Sequence, residues 1–301
     1  GEFTERAFLN GKMDLAQAEA VADLIDATST KAHQASLTHL KGRYSDLLGD
    51  LREELLNLCS LVELEIDFSD EDVEFADRER LEDLLDETEE ILGDLLDTYP
   101  TGEKLKDGGQ VVIGGRPNAG KSTLLNALVG HDRAIVSETP GTTRDEIEAE
   151  AEIEGVLFRF VDTAGLRDTA DEIEAEGVRR ATESIEEADV LFYLYDLTVG
   201  LDSQEIAFLQ DLADDGSDVQ PVVIGNKADR APDLPVATLD GLTSLKLSAL
   251  EAREDADEVQ PLLDHLTDTV AEHLSRAEAS PVVMNQRHRQ HLRDALDAVQ
   301  Q

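Results

Sequence analysis

The sequence predicts an α/β domain with a mostly parallel six-stranded sheet, inserted into an all-α helical domain. Two observations lead to this fold class. Residues 1–106 and 276–301 carry apolar residues at the three- and four-residue spacing of amphipathic helices, whereas residues 107–275 alternate short β-rich runs with helical segments. The helical pattern thus lies on both sides of the α/β pattern, as expected when one domain interrupts another.

The first helical part is predicted to hold a pair of long amphipathic helices between Asp14 and Phe68 and a further helix in RLEDLLDETEEILGDLLDTY. The acidic segment DFSDEDVEFADRE separates them. PTGEKLKDGG is rich in turn formers and is predicted to be the domain boundary. Near the end of the chain, NQRHRQHLRDALDAVQ is predicted to be helical again. Cys59, the one cysteine, lies in a helical apolar pattern and is predicted to be a buried core residue.

Six strands are predicted in the α/β part, with helical segments between most of them: QVVIGG, EIEAEAEI, VLFRFVDTAG, VLFYLYD, PVVIGNKAD and SLKLSA. The second and third follow each other directly around the EGV segment at residues 154–156. They are therefore expected to form a hairpin, which would be the antiparallel edge of an otherwise parallel sheet.

The chain is strongly acidic, with 68 Asp and Glu against 26 Lys and Arg and a formal net charge of −42. The acids are spread along the whole chain, a distribution typical of a solvated surface suited to a high-salt cytoplasm, where screening weakens self-repulsion. There is no basic footprint of the kind that nucleic-acid-binding domains carry. No run approaches the roughly 20 apolar residues of a membrane span, so we expect a cytoplasmic protein.

Residues 114–123, GGRPNAGKST, follow an apolar strand and precede a helical segment. Gly115, Gly120, Lys121 and Ser122 match the pattern G-x-x-x-x-G-K-[ST], in which backbone amides and a helix N-terminus surround phosphate oxygens. Lys121 should reach the β and γ phosphates, and the Ser122 hydroxyl should bind Mg²⁺. The pattern predicts a nucleotide-binding loop.

Three later motifs indicate which nucleotide. In DTAG, at 162–165, Asp162 should reach Mg²⁺ through water and the Gly165 amide should sense the γ-phosphate. In NKAD, at 226–229, Asp229 can accept both hydrogens of the guanine N1 and N2 edge, and SAL, at 248–250, would add a backbone contact to guanine O6. The motifs predict a GTP site that contains Asn118, Ala119, Gly120, Lys121, Ser122, Thr123, Asp162, Thr163, Ala164, Gly165, Asn226, Lys227, Asp229, Ser248, Ala249 and Leu250.

The residue that holds the attacking water is not obvious from the motifs. Leu166 stands where Ras-like enzymes place a water-orienting glutamine. SETPGTTRDEI supplies Thr142 and Thr143, one of which should close over Mg²⁺, and Asn118 offers a side-chain oxygen beside the phosphates. Some other group must orient the water.

GRPNAGKS and PGTTRD resemble the potassium-activated GTPases of the translation-factor-related class. GEFTERAFLNGKMDLAQAEAVADLIDATS, together with NQRHRQHL, is similar to the central segment of the bacterial tRNA-modification GTPases of the MnmE (TrmE) family, and the resemblance covers essentially the whole chain. It implies a G domain at residues 107–275 inserted into a helical domain made of residues 1–106 and 276–301. It also implies that the chain is a fragment, lacking an N-terminal folate-binding domain and a C-terminal Cys motif; a folate site is expected only in that N-terminal domain.

The resemblance assigns roles to residues that the motifs left open. K⁺ would be held by Asn118, Ser137, Thr139 and Thr142, of which Ser137 and Thr142 also join the GTP-binding set. Mg²⁺ would be held by Ser122 and Thr143. Glu174 occupies the position of the family's water-orienting glutamate, so the implied catalytic residues are Glu174, Thr143 and Gly165.

The function implied is K⁺-stimulated GTP hydrolysis in the tRNA wobble-uridine modification pathway, activated when two G domains dimerise. The implied partners are tRNA, a second copy of the chain and an FAD-dependent tRNA-modification protein of the MnmG (GidA) type. The alternative is a GTP-dependent ribosome-assembly or RNA-binding switch of the same GTPase class. Such a switch would need a basic KH-like segment after the G domain, and only acidic helical sequence follows it here.

Overall fold

A computed structural model describes residues 1–67, 78–130, 149–162, 184–186, 188–214, 219–277 and 282–300. The chain divides into two compact units. One, the helical unit, combines Gly1–Asp107 with Ala271–Gln301; the other, the α/β unit, is the continuous stretch Gly108–Val270. The predicted fold class, an α/β domain inserted into a helical domain, is confirmed.

Ten helices and six strands carry the architecture of the described residues. The helices are α1 Glu2–Leu9, α2 Leu15–Asp26, α3 Thr30–Leu40, α4 Arg43–Asp67, α5 Arg78–Asp97, α6 Tyr99–Asp107, α7 Lys121–Gly130, α8 Ser203–Asp214, α9 Gln260–Ala277 and α10 Gln286–Val299. The strands are β1 Gly109–Gly115, β2 Ala149–Ile153, β3 Val156–Asp162, β4 Val190–Asp196, β5 Gln220–Asn226 and β6 Thr243–Lys246. Within these ranges, no helix combines the length and the apolar character that crossing a membrane requires.

The predicted pair of long helices between residues 14 and 68 is instead three helices, α2, α3 and α4, and that prediction was wrong in number. Ala27 leaves the helical conformation at ψ 120°, and the Ser29 hydroxyl then caps α3 by accepting a hydrogen bond from the Ala32 amide at 3.3 Å. Gly42, at φ 86°, makes the next turn. The apolar spacing continues through the second break, from Leu40 to Tyr44, so periodicity alone could not reveal that turn.

The segment PTGEKLKDGG was predicted to be a turn-rich boundary, yet most of it forms α6. Pro100 lies in the first turn of that helix, where a missing backbone N–H leaves no hydrogen bond unmade. Gly102 packs so closely on Val283 that a Cβ would overlap the Val283 carbonyl oxygen. The turn comes only at Gly108, at φ 90°, just before β1.

The core of the helical unit brings the two parts of its chain together. Three rings stack in series: His39 on Tyr44 at 5.3 Å, and Tyr44 on His288 at 5.1 Å between centroids. His39 Nε2 lies 2.5 Å from the Val282 carbonyl oxygen, and burial lowers the pKa of this imidazole although the carbonyl and the charge of Asp23 act to raise it. The neutral imidazole thus serves as a donor inside the core.

Cys59 is exposed, contrary to the prediction that it lies in the core. The preceding residue of α4, Leu58, is buried, with 5% of its surface exposed. Successive helix positions are rotated by about 100°, so the residue after an inward-facing leucine turns away from the core. An apolar stretch of sequence was not enough to locate the inward face.

The sheet of the α/β unit has the strand order β2-β3-β1-β4-β5-β6. Among the described strands only the β2–β3 pair is antiparallel, and its hairpin turns at Glu154 and Gly155, both with positive φ. The four pairs β3–β1, β1–β4, β4–β5 and β5–β6 are parallel. The carboxyl ends of these five strands therefore meet at one edge of the sheet, where α/β proteins build their ligand sites.

Candidate nucleotide-binding site

The last residue of β1 and the loop that follows it to α7, residues 115–120 and below called the phosphate loop, are shaped for a close approach of backbone to a ligand. Gly115 has φ 128° and Gly120 has φ 106°. A Cβ at Gly115 would overlap the Leu194 carbonyl oxygen, and a Cβ at Gly120 would overlap Asn226 Nδ2. Only glycine fits either position. The loop leads directly into the N-terminus of α7, and the positive end of a helix dipole favours anions.

Lys121, the first residue of α7, is only 7% exposed. Its Nζ donates hydrogen bonds to the carbonyl oxygens of Gly115, at 2.9 Å, and Arg116, at 3.2 Å. The ammonium group therefore lies across the loop rather than in bulk solvent. A positive charge held there complements the phosphates that the loop shape would admit.

The two described residues predicted to bind Mg²⁺ lie at the same edge of the sheet. Ser122 is exposed at the second position of α7, and Asp162 is the last residue of β3, in register with Ile113 of β1. A hydroxyl and a carboxylate are the oxygen ligands that Mg²⁺ prefers, so the donor set fits this ion. Thr123 follows in α7 and is half-buried.

Asn226, the last residue of β5, connects three segments of the site and is 2% exposed. Its Nδ2 donates to the Ala119 carbonyl oxygen at 2.7 Å. Its Oδ1 accepts from the amides of Lys227, at 2.7 Å, and Ala249, at 2.9 Å. One side chain thus holds the phosphate loop, the NKAD turn and the SAL turn against one another.

Asp229 and Ser248 meet although they belong to different motifs. The Ser248 hydroxyl donates to Asp229 Oδ1 at 2.8 Å, and Ser248 is fully buried. This bond fixes the orientation of the Asp229 carboxylate. Ala249 is buried, whereas the Leu250 side chain is 58% exposed, so only the backbone of Leu250 is suited to the contact predicted for it.

Lys227 and Asn118 both take left-handed backbone conformations, at φ 66° and φ 63°. The Lys227 ammonium donates to Asp196 Oδ2 at 2.7 Å. Burial acts to raise the pKa of Asp196, but the hydrogen bonds from Lys227 and Thr198 outweigh it and lower that pKa to about 2. Asn118 is exposed at the turn of the phosphate loop.

A buried acid in the site was missed by the sequence motifs. Glu205, 8% exposed, accepts hydrogen bonds from Arg116 Nε at 2.7 Å, from Arg116 Nη2, and from the Tyr193 hydroxyl at 2.9 Å. It also forms a capping box with Asp202 at the start of α8. Burial acts to raise the pKa of Glu205, and the bonds from Arg116, the Asp202 amide and Tyr193 lower it overall. The D-x-x-E spacing at residues 202–205 could have indicated the cap, but not the arginine.

Nine residues named in the motif analysis lie outside the described residues, and their placement stays a prediction: Ser137, Thr139, Thr142, Thr143, Thr163, Ala164, Gly165, Leu166 and Glu174.

Comparisons with known proteins show the family of the chain. The family model described as the MnmE helical domain matches residues 15–301. The tRNA modification GTPase MnmE of Cytophaga hutchinsonii is 43% identical over 303 residues, which cover 99% of this chain and 64% of that protein. The protein of the same name from Porphyromonas gingivalis is 44% identical over 307 residues, with coverages of 99% and 64%.

A solved structure, that of a variant of Aquifex aeolicus Era bound to GDP·AlF4⁻, is similar at 28% identity and a TM-score of 0.36, and covers 52% of this chain and 56% of that one. At this TM-score the likeness adds nothing to the assignment. The chain spans about 64% of the length of the curated relatives named above. The match of the family model, together with 43% identity across 99% of the chain, shows that this chain belongs to the MnmE family.

Proposed function

We propose that this chain binds and hydrolyses GTP, and that it is the GTPase segment of a cytoplasmic protein that modifies the wobble uridine of tRNA. The observation that carries the proposal is the position of Asn226, which joins the phosphate loop to the turns that bear Asp229 and Ser248. A loop shaped for phosphate and a carboxylate suited to guanine are thus parts of one site.

The described residues divide the binding of the nucleotide among them. The amides of residues 115–120 and the Lys121 ammonium bind the β and γ phosphates. Ser122 and, through water, Asp162 hold Mg²⁺, which when bound neutralises charge that develops on the phosphates. Asp229 accepts the N1 and N2 hydrogens of guanine, and adenine offers no such pair of donors.

The charge of the transition state needs a further cation. Arg116 is the arginine of the phosphate loop itself, but its guanidinium is paired with Glu205 in the first turn of α8. We therefore retain the K⁺ site as part of the proposal, with Asn118, Ser137, Thr139 and Thr142 as ligands. Thr143 joins Ser122 on Mg²⁺, and Glu174 orients the attacking water.

The partners belong to the proposal as well. Two copies would meet through their α/β units and so complete the K⁺ site. An FAD-dependent protein of the MnmG type and tRNA would take part in the modification itself. The support for this step is the printed name of the relatives, tRNA modification GTPase MnmE.

GTP turnover tests the proposal. Turnover per chain is measured against protein concentration in KCl and in NaCl of matched ionic strength. We expect turnover in KCl to rise more than linearly with concentration and turnover in NaCl to be far slower. Glu174→Ala should lose turnover and keep GTP binding, whereas Glu90→Ala, at an exposed site on α5, should behave as the wild type. Equal rates in both salts with no concentration dependence would overturn the K⁺ and dimer steps, and a wild-type chain without GTP binding would overturn the whole proposal.

A further inference from the structure

The connection between β4 and α8 carries an acid near each end, and the two acids reach different parts of the nucleotide site. Asp196 is the last residue of β4, and Glu205 lies in the first turn of α8. Neither belongs to a nucleotide-binding motif. Each binds a basic residue that does.

At the first end, the Asp196 carboxylate is held from both sides. Oδ1 accepts from the Thr198 amide at 2.9 Å and from the Thr198 hydroxyl at 2.6 Å. Oδ2 accepts from the Lys227 ammonium at 2.7 Å. A lysine side chain has four rotatable bonds, so a fixed carboxylate selects one of many conformations. Asp196 therefore fixes the side chain of Lys227, the lysine of the NKAD motif, which precedes Asp229 by two residues.

At the second end, the connection surrounds the guanidinium of Arg116. Both oxygens of Glu205 accept from it, and the Gly200 carbonyl oxygen accepts from Nη2 at 3.3 Å. The Asp202 carboxylate lies 3.4 Å from the same nitrogen. The Tyr193 hydroxyl fixes Glu205 Oε1 from β4. Because Arg116 follows Gly115 directly, these contacts with its guanidinium anchor the start of the phosphate loop.

We propose that Asp196 and Glu205 are positioning residues that act on separate parts of the ligand, Asp196 on the base through Lys227 and Glu205 on the phosphates through Arg116. The inference rests on the proposed binding of guanine nucleotides. It predicts that substitutions at the two ends of one connection have different ligand profiles, which a general loss of structure would not produce.

The test compares the affinities of GMP, GDP and a non-hydrolysable GTP analogue, measured by competition with a fluorescent GDP in concentrated KCl. Glu205→Gln should weaken GDP and the GTP analogue about tenfold and change GMP little, because only the longer ligands reach the start of the loop. Asp196→Asn should weaken all three by one common factor, also about tenfold. Asp211→Asn, at an exposed position later in α8, is the matched control.

A double substitution tests whether Glu205 acts through Arg116. Arg116→Gln with Glu205→Gln should lose no more GDP affinity than Arg116→Gln alone. The inference is overturned if Glu205→Gln weakens all three nucleotides equally, if it binds GDP more tightly because the released Arg116 reaches the phosphates, or if both variants match Asp211→Asn. If the wild-type chain binds none of the three nucleotides, the proposed function fails together with the inference, and the wild-type measurement alone identifies that case.

Discussion

Replacing Asn226 by alanine should destabilise the α/β unit strongly. The side chain makes three hydrogen bonds, to the carbonyl oxygen of Ala119 and the amides of Lys227 and Ala249. Both alanines are almost fully buried, so water cannot replace the lost partner. At about 1 kcal/mol net for each bond, Asn226→Ala should lower the free energy of unfolding by about 3 kcal/mol.

Urea unfolding followed by far-UV circular dichroism measures this loss, since the chain has no tryptophan to report by fluorescence. The experiment is done in concentrated KCl, which screens the acidic surface. Asn126→Ala makes the same chemical change at an exposed position of α7 and should stay within about 0.5 kcal/mol of the wild type. If Asn226→Ala unfolded at the same free energy as Asn126→Ala, the role of Asn226 as the link between the three segments would be refuted.

Three further outcomes are expected. Lys121→Ala should abolish tight triphosphate binding, because it deletes the charge held across the phosphate loop; normal GTP affinity would contradict the loop assignment. Asp229→Asn should weaken GTP and favour a xanthine nucleotide, because the new amide presents a donor where guanine also donates, and unchanged selectivity would remove Asp229 from the base pocket. Burial lowers the pKa of His39 below its ordinary 6.5, so the unfolded chain binds more protons there and stability should fall as the pH drops below that value. His39→Gln should reduce this slope more than His33→Gln, at an exposed site, when unfolding is measured across the range.

The parts of the site that could be predicted from the sequence are those in which chemistry and local structure share a short motif. A strand, a glycine-bearing loop and a helix must follow one another for a phosphate loop to form, so the place of Lys121 at a helix start could be read directly. Asp229 and Ser248 belong to separate motifs, yet both follow neighbouring parallel strands, and the sheet brings such ends together. The structure brings these residues into contact; their binding of GTP stays a prediction.

The Arg116–Glu205 pair could not be predicted, because its members are 89 residues apart and no spacing rule joins them. Glu205 is also one of 68 Asp and Glu residues in the chain. Acidic side chains are normally exposed to solvent, so nothing in the composition marks this one as buried. Burial of an acid depends on which face of α8 packs inward and on the basic group that meets it there. Both depend on tertiary packing, as does the exposure of Cys59 next to the buried Leu58.

The insertion of one unit into the other also constrains the order in which the protein can fold during its synthesis. The α/β unit is a continuous stretch of chain and can complete its own sheet as soon as the ribosome has released it. The helical unit cannot, because His39 must find Val282 across 243 residues and Thr98 must find Val283 across 185. Residues 1–107 therefore leave the ribosome long before α10, which completes their core, and hold an unfinished apolar face in the interval. Folding of the intervening α/β unit shortens the effective loop that has to close, so this unit brings the last helix closer to residues 1–107 in the chain.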